Sequence, residues 1–501
     1  MAYSLEILMP KFSILAFVFL SSVSLADDWP MRGQNRFRSS SVESENGPQI
    51  WQPKIDRFET IESEKLRHPE ARVGRVKWMA GGFWEAMCDP VVANGLLWIG
   101  TGDPIGESTD NFSVLACFDA QNGKLLFQHI SKKLGIANQD WPGTGNTSSP
   151  FIDGNRLWFC TNRLEVICLN IQPLVDRTGD PTVIWTVDLK SRYGMVPKDV
   201  HLGNRASRCS IVGVDGRIFV NTTNSRHYDR TPAVDPNAPS LVCLNQDSGE
   251  SIWTDNSPGL DIARNQHCNP VIFQNEHKSY VAIGQGDAFV RAFECETGIM
   301  GWQFDVNTKQ ERQSKSLFKK KRLLTESPVF DGRNLYFAIG EDREASFERG
   351  GIYCIDPFGS GDVSRQLIVD GQTVPNPNSK WIWEHSEKEG QKILSSIAGL
   401  CVTSKFLFAA DIDGSVKCFD KLTGKLHWLH DTQSTVIGTP LVVGDSLYVT
   451  DEEGDVDVLR ASENYELIGS MNHGSPIESS PIYAEGTLFI VTRRNVYAIG
   501  K

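Results

Sequence analysis

Residues 395–431 read SSIAGLCVTSKFLFAADIDGSVKCFDKLTGKLHWLHD. Four short runs, 397–403, 405–410, 415–420 and 425–430, are separated by turn residues. Asp413-Gly414 and Thr423-Gly424 supply tight turns, because glycine takes the positive φ such turns need. Apolar residues alternate or cluster over strand-sized lengths, which argues for strands rather than helices. The unit is a twisted four-stranded sheet. One sheet cannot cover both of its faces, so copies are expected to pack beside it.

The copies are present. CFDAQNGKLLFQH (117–129), CLNQDSGESIWTD (243–255) and AFECETGIMGWQFD (292–305) each join a strand, a turn and an aromatic strand. The unit openings repeat as CDPVVANGLLWIG from Cys88, SSPFIDGNRLWFC from Ser148, CSIVGVDGRIFV from Cys209, CNPVIF from Cys268, ESPVFDGRNLYFA from Glu326, GTPLVVGDSLYVT from Gly438 and SSPIYAEGTLFIV from Ser479. With the unit at Ile397 there are eight. The last units recur at about forty residues, a propeller-blade period. The final unit supplies only three strands before the chain ends, whereas PQIWQPKI (48–55) is an isolated aromatic strand with Trp51. The expected fold is all-β: an eight-bladed β-propeller of four-stranded blades, with the N-terminal strand completing the last blade and removing exposed edges.

Residues 1–26 read as a signal peptide. The apolar run 12–23 is short for a bilayer span, and Ser24-Leu25-Ala26 is a small-residue cleavage site. Initiation at Met9 gives the cleaner leader; Met1 and Met9 both stay open. The mature chain is expected to be periplasmic or secreted, without a transmembrane segment. Residues 27–46 form an irregular segment expected to lie across one face of the disc, and 47–501 form the propeller. A formal net charge of −12 argues against nucleic acid as a partner, which calls for a basic face. The basic run KSLFKKKR (315–322) reads as a solvated loop between blades.

Eleven cysteines in an exported chain suggest disulfides, but their placement argues otherwise. Cys117, Cys168, Cys243, Cys354 and Cys418 occupy one slot of the third strand, filled elsewhere by Ala292, Val458 and Ala498. A slot shared by Cys, Ala and Val is small and apolar. Equivalent points in neighbouring sheets lie beyond the roughly 7 Å that a disulfide spans between Cα atoms. Near the axis, a Cys209–Cys268 bridge is conceivable. The fourth strand has its own slot, held by Trp185, Trp253, Trp302, Trp383 and Trp428, with Phe127 in the first blade and Trp51 from the N-terminal strand. Rings there are expected to wedge between sheets, a structural role.

The run of Asp, Thr-Gly-Lys and Trp in CFDKLTGKLHW resembles the tryptophan-docking motif of the quinoprotein dehydrogenase-like propellers, the PQQ-like-repeat family. The likeness covers nearly the whole mature chain. DWPMRGQNRFRSSS (28–41) is similar to the N-terminal segment of exported planctomycete-type members, one residue shorter between Pro30 and Arg32. The family contains both dehydrogenases and non-catalytic factors, including the propeller lipoprotein of the outer-membrane β-barrel assembly machinery. The resemblance therefore implies fold more than activity. Its alcohol dehydrogenases pair two adjacent cysteines against pyrroloquinoline quinone, and many carry haem. This chain has neither adjacent cysteines nor a C-x-x-C-H.

Any ligand is expected where the loops leading into the first strands converge on the axial channel. Polar candidates at that mouth are Glu85, Asp89, Asn146, Arg205, Arg208, His267, Asn269, Glu326 and Glu478. Arg205, Arg208 and His267, with Asn269, form the candidate cofactor-binding set, since arginines grip an anionic group bidentately. Glu85, Asp89 and Glu326 form the candidate calcium cage. The alternative is that these side chains pair with one another and plug the channel. His201 and His227 read as surface residues. Two functions follow. One is a monomeric, non-catalytic scaffold that binds an envelope protein or polysaccharide. The other is an oxidoreductase of alcohols or sugars holding pyrroloquinoline quinone and calcium in the channel.

Overall fold

In the stretch quoted first, each expected run is a strand. Leu400–Val402, Phe406–Ala410, Ser415–Asp420 and Leu426–Asp431 pair antiparallel in sequence order. The structure, a computed structural model, describes residues 28–53, 69–83, 85–106, 111–133, 145–194, 210–222, 224, 236–262, 268–309, 324, 326–340, 350–386 and 398–500. Seven more sheets repeat the unit, making an eight-bladed β-propeller. Blades 1 to 7 span residues 91–132, 151–188, 212–255, 271–305, 329–386, 400–431 and 441–472. Blade 8 combines 482–500 with an N-terminal strand.

The core lies between blades rather than within one. Apolar residues of adjacent sheets merge, as where Leu400 and Leu407 of blade 6 join Tyr336 and Trp383 of blade 5. A cross-strand row organises most sheets: an aromatic on the second strand, a small residue on the third, an aromatic on the fourth. Phe219, Cys243 and Trp253 are one such row, and Phe408, Cys418 and Trp428 another. All eight fourth strands carry a register shift at this row, as between Cys418 and Phe419. Such a bulge inserts one residue and re-aims the next side chain.

The thiols are unpaired, in the small slot and outside it. Cys88, Cys117, Cys160, Cys168, Cys243, Cys268, Cys295, Cys354, Cys401 and Cys418 are buried and free. Burial pushes the Cys168, Cys243, Cys354 and Cys418 thiols up to about 12, which leaves no thiolate to react. Cys268, one half of the conceivable Cys209–Cys268 bridge, is a free thiol. The Cys268 sulfur instead donates to the Glu326 carbonyl at 3.0 Å and accepts from the Gly284 N–H at 3.1 Å. Cys209 itself lies outside the described residues.

The strand that completes blade 8 is Arg75–Gly81, not 48–55. It pairs antiparallel with Asn495–Gly500 and sets Trp78 opposite Ala498, in the aromatic slot. Trp51 goes to blade 7. There the fourth strand, Leu467–Asn472, has Gly469 opposite Val458 where other blades have a large ring. Ile50 closes over that glycine, and Trp51 packs at 6.4 Å from Tyr448. The missing ring is thus supplied from another part of the chain, and Ile50 and Trp51 are spent on filling the gap.

Residues 29–42 run as a strap along the channel side of the first strands. Trp29 exchanges backbone hydrogen bonds with Val92 of blade 1, and the Pro30 carbonyl accepts from Ile152 of blade 2. The carbonyls of Arg36, Phe37, Ser39 and Ser40 accept from Ile272, Phe330, Val402 and Val442 of blades 4, 5, 6 and 7 in turn. Blade 3 is reached by the Arg38 side chain, which donates to the Ser210 carbonyl. A long connection in blade 5 adds Gly361–Asp362 as a parallel fifth strand beside Met300–Asp305 of blade 4.

Candidate functional site at the propeller axis

Chain direction brings the polar site together. Each first strand starts at one end of the axis, so the residues just before it converge there. A ring of joints links these positions. The backbone N–H of Ser210 donates to the Asn269 side chain at 2.7 Å, and that of Gly399 to Thr439 at 3.1 Å. Thr439 likewise donates to Ser480 at 2.8 Å, and Ser480 to Asp89 at 2.6 Å. A side chain from one blade thus satisfies the backbone of the blade before it, which a buried N–H requires.

Arg32 of the strap sits at the centre of this ring. Its Nε lies 2.7 Å from Asp89 Oδ2, and its Nη2 donates to Glu326 Oε2 at 2.9 Å. One guanidinium thus joins the approaches to blades 1 and 5. Burial opposes its charge, and Glu326 and Asp89 overcome that, holding Arg32 above the usual arginine range. The neighbouring Arg38 donates to the carbonyls of Pro270, Ser210 and Arg32.

The expected site residues separate into four groups. Asp89 and Glu326 are brought together, but on Arg32. Glu85 pairs with Arg493 at 3.1 Å and approaches Arg494, and Glu478 also binds Arg493. Asn146 and Asn269 are buried and serve the backbone, accepting from Ser148 and Ser210. Arg205, Arg208 and His267 lie outside the described residues, as do His201, His227 and 315–322. Among the described residues no three His, Cys, Asp or Glu side chains gather as a metal site.

The cavity left around Arg32, Asp89, Ser210, Glu326, Ile437 and Glu478 is about 30 Å³. That is room for one or two waters, against the roughly 300–1,000 Å³ of an ordinary ligand pocket. This cavity has no room for a quinone, and the carboxylates beside it, Asp89 and Glu326, are held by Arg32. Sequence reasoning missed Arg32. The signal that pointed to it was the crowd of acids at a narrow axis, which calls for a cation, in a chain whose DWPMRG segment precedes every blade.

The docking aromatics are placed by the same geometry. Trp253 Nε1 donates to Cys295 O at 3.1 Å, Trp383 to Lys421 O at 3.0 Å, Trp428 to Ser462 O at 2.8 Å and Trp185 to Gln246 O at 3.3 Å, each in the next blade. Trp302 is buried against Phe273 at 6.2 Å, and Phe127 meets Trp98 within blade 1 at 6.5 Å.

Comparison with known proteins agrees with this architecture. Residues 110–374 and 348–466 match the sequence family described as outer membrane protein assembly factor BamB. BamB from Moraxella catarrhalis is similar in structure, with a TM-score of 0.52 and 14% identity, covering 84% of this chain and 98% of that one. The quinohemoprotein alcohol dehydrogenase ADHIIG from Pseudomonas putida HK5 has a TM-score of 0.57 and 11% identity, covering 95% and 80%. Sqt1 from Saccharomyces cerevisiae has a TM-score of 0.54 and 11% identity, covering 85% and 98%. At these identities the likeness is one of fold. No curated protein matches the chain by sequence.

Proposed function

Because the chain belongs to the PQQ-like-repeat family described as outer membrane protein assembly factor BamB, we propose that it is a non-catalytic scaffold of the cell envelope. It is exported, its leader is removed near Ala26, and it works as a monomer that binds a protein partner. One observation carries the reading: the chain's own Arg32 occupies the axis, bound to Asp89 and Glu326. Asp89 and Glu326, which would face a cofactor there, are spent on holding the strap to blades 1 and 5. The family description favours protein over polysaccharide as the partner. Among the described residues no helix is long and apolar enough to cross a membrane.

The competing reading, an oxidoreductase with pyrroloquinoline quinone and calcium in the channel, needs the strap to leave the axis. Calorimetric titration of the mature protein with the quinone, with and without calcium, separates the two. No heat and no thermal stabilisation are expected. Calcium-dependent binding at micromolar affinity or better would overturn the scaffold reading in favour of the enzyme.

A further inference from the structure

Three blades carry the same pair of buried polar positions at the turn between second and third strands. The first follows the second strand: Gln285, Asp411 and Asp451 in blades 4, 6 and 7. The other is third in the third strand: Arg291, Lys417 and Asp457. In blade 4, Arg291 donates to Gln285 at 2.6 Å and to both Asp287 oxygens, at 2.9 and 2.6 Å. In blade 6, Lys417 Nζ lies 3.7 Å from Asp411. Blade 7 puts an acid where the other two put a cation.

The consequence falls on Asp451, which is 1% exposed. Its Oδ1 accepts the N–H groups of Glu453 at 3.0 Å and Asp455 at 2.9 Å. Its Oδ2 is buried without a hydrogen-bond partner. Asp457 gives no help, because it is an acid and its Oδ2 is held by His430 Nε2 of blade 6 at 2.7 Å. The His430 Nδ1 in turn lies 3.1 Å from the Tyr465 hydroxyl. Glu452, Glu453 and Asp455 on the same turn add negative charge. The connection to blade 8 packs against the turn with His473 and Glu478, through the backbone bonds of Ile477 to Asp451 and His473 to Gly454. Arg493 of blade 8 is engaged by Glu478 and Glu85. Among the described residues no cation pairs with Asp451.

We infer that the buried pocket of Asp451 is a proton-binding site, and that it makes the joint of blade 7 with its neighbours sensitive to pH. A buried carboxyl without a counter-charge, and with one oxygen left without a donor, is more stable in its neutral form. Burial, reinforced by Asp455 and Asp457, accordingly pushes Asp451 up to about 6. In the folded state the acid binds its proton more tightly than in the unfolded chain. Its contribution to stability is present at low pH and is lost as pH rises through about 6.

The test compares wild type with Asp451→Asn, which keeps the shape and cannot ionise. His473, which burial pulls down to about 4, titrates in the same window with the opposite sign. The quantity to read is therefore the ratio of the two unfolding constants, not the wild-type curve alone. Near pH 4 the two proteins should unfold alike. By pH 7.5 the wild-type unfolding constant should be about a hundredfold higher than that of the Asn variant, from an acid shifted from near 4 to about 6. A ratio that does not change with pH overturns the proposal. So does millimolar calcium at neutral pH stabilising wild type but not the variant, which makes the pocket a metal site. If the Asn variant does not fold, Asp457→Asn serves: losing the like charge should move the transition to lower pH, and an unmoved transition overturns the proposal.

Discussion

At the scale of single residues, the repeated glycine of the docking turn is explained by the ring of the preceding blade. Gly424 has φ +71, and a Cβ there would stand 2.6 Å from the Trp383 ring. Gly249 meets Trp185 in the same way. The turn must expose bare backbone so that the indole lies flat and its N–H reaches Lys421 O. Gly216 has a similar φ of +74 but nothing within 4 Å. Gly424→Ala should cost about 2–4 kcal/mol, from the left-handed backbone plus the collision. Gly216→Ala should cost only the backbone part, about 1–2 kcal/mol. Denaturant unfolding of both variants reads the difference. Equal losses would mean that the ring yields freely. The turn glycines are legible in the sequence, but their second duty is not, because the ring they meet comes from the preceding blade.

At the scale of elements, the closing strand shows what a pattern can mistake. Both 48–55 and Arg75–Gly81 carry a tryptophan among alternating residues. The one that joins blade 8 sets its ring opposite Ala498, against Phe489 at 6.0 Å, with Nε1 donating to Ala120 O at 3.1 Å. Trp78→Ala should therefore destabilise by about 3–5 kcal/mol, as large-to-small core changes do. Denaturant titration measures it. A loss below about 1 kcal/mol would show that the strand is dispensable for holding the blade. The choice between the two candidates turned on Gly469 of blade 7. Without a ring of its own, that blade accepts Ile50 and Trp51 from the N-terminal segment.

At the scale of the whole molecule, the ring is held by contacts between residues far apart in sequence. Arg32 links the approaches to blades 1 and 5, and the strap bonds to blade after blade. Arg32→Met should leave Asp89 and Glu326 buried beside an apolar chain and cost about 3–5 kcal/mol. Paired with Asp89→Asn in a double-mutant cycle, the two changes should couple by about 1–3 kcal/mol. Additive losses would show that the axial ion pair does not tie the strap to blade 1.

The amino-acid sequence alone determined the repeat, the number of blades, the small third-strand slot and the ring of docking aromatics. Each of these is set by neighbours a few residues away in a strand or turn, so each leaves a local pattern. Tertiary structure alone decided which N-terminal strand closes blade 8, where Trp51 goes, and what occupies the axis. Those outcomes depend on space and charge contributed by blades hundreds of residues distant. The axial carboxylates Asp89 and Glu326 were visible as acids near a channel mouth. That an arginine from the strap would neutralise them followed only when the closed ring brought all three within hydrogen-bonding distance.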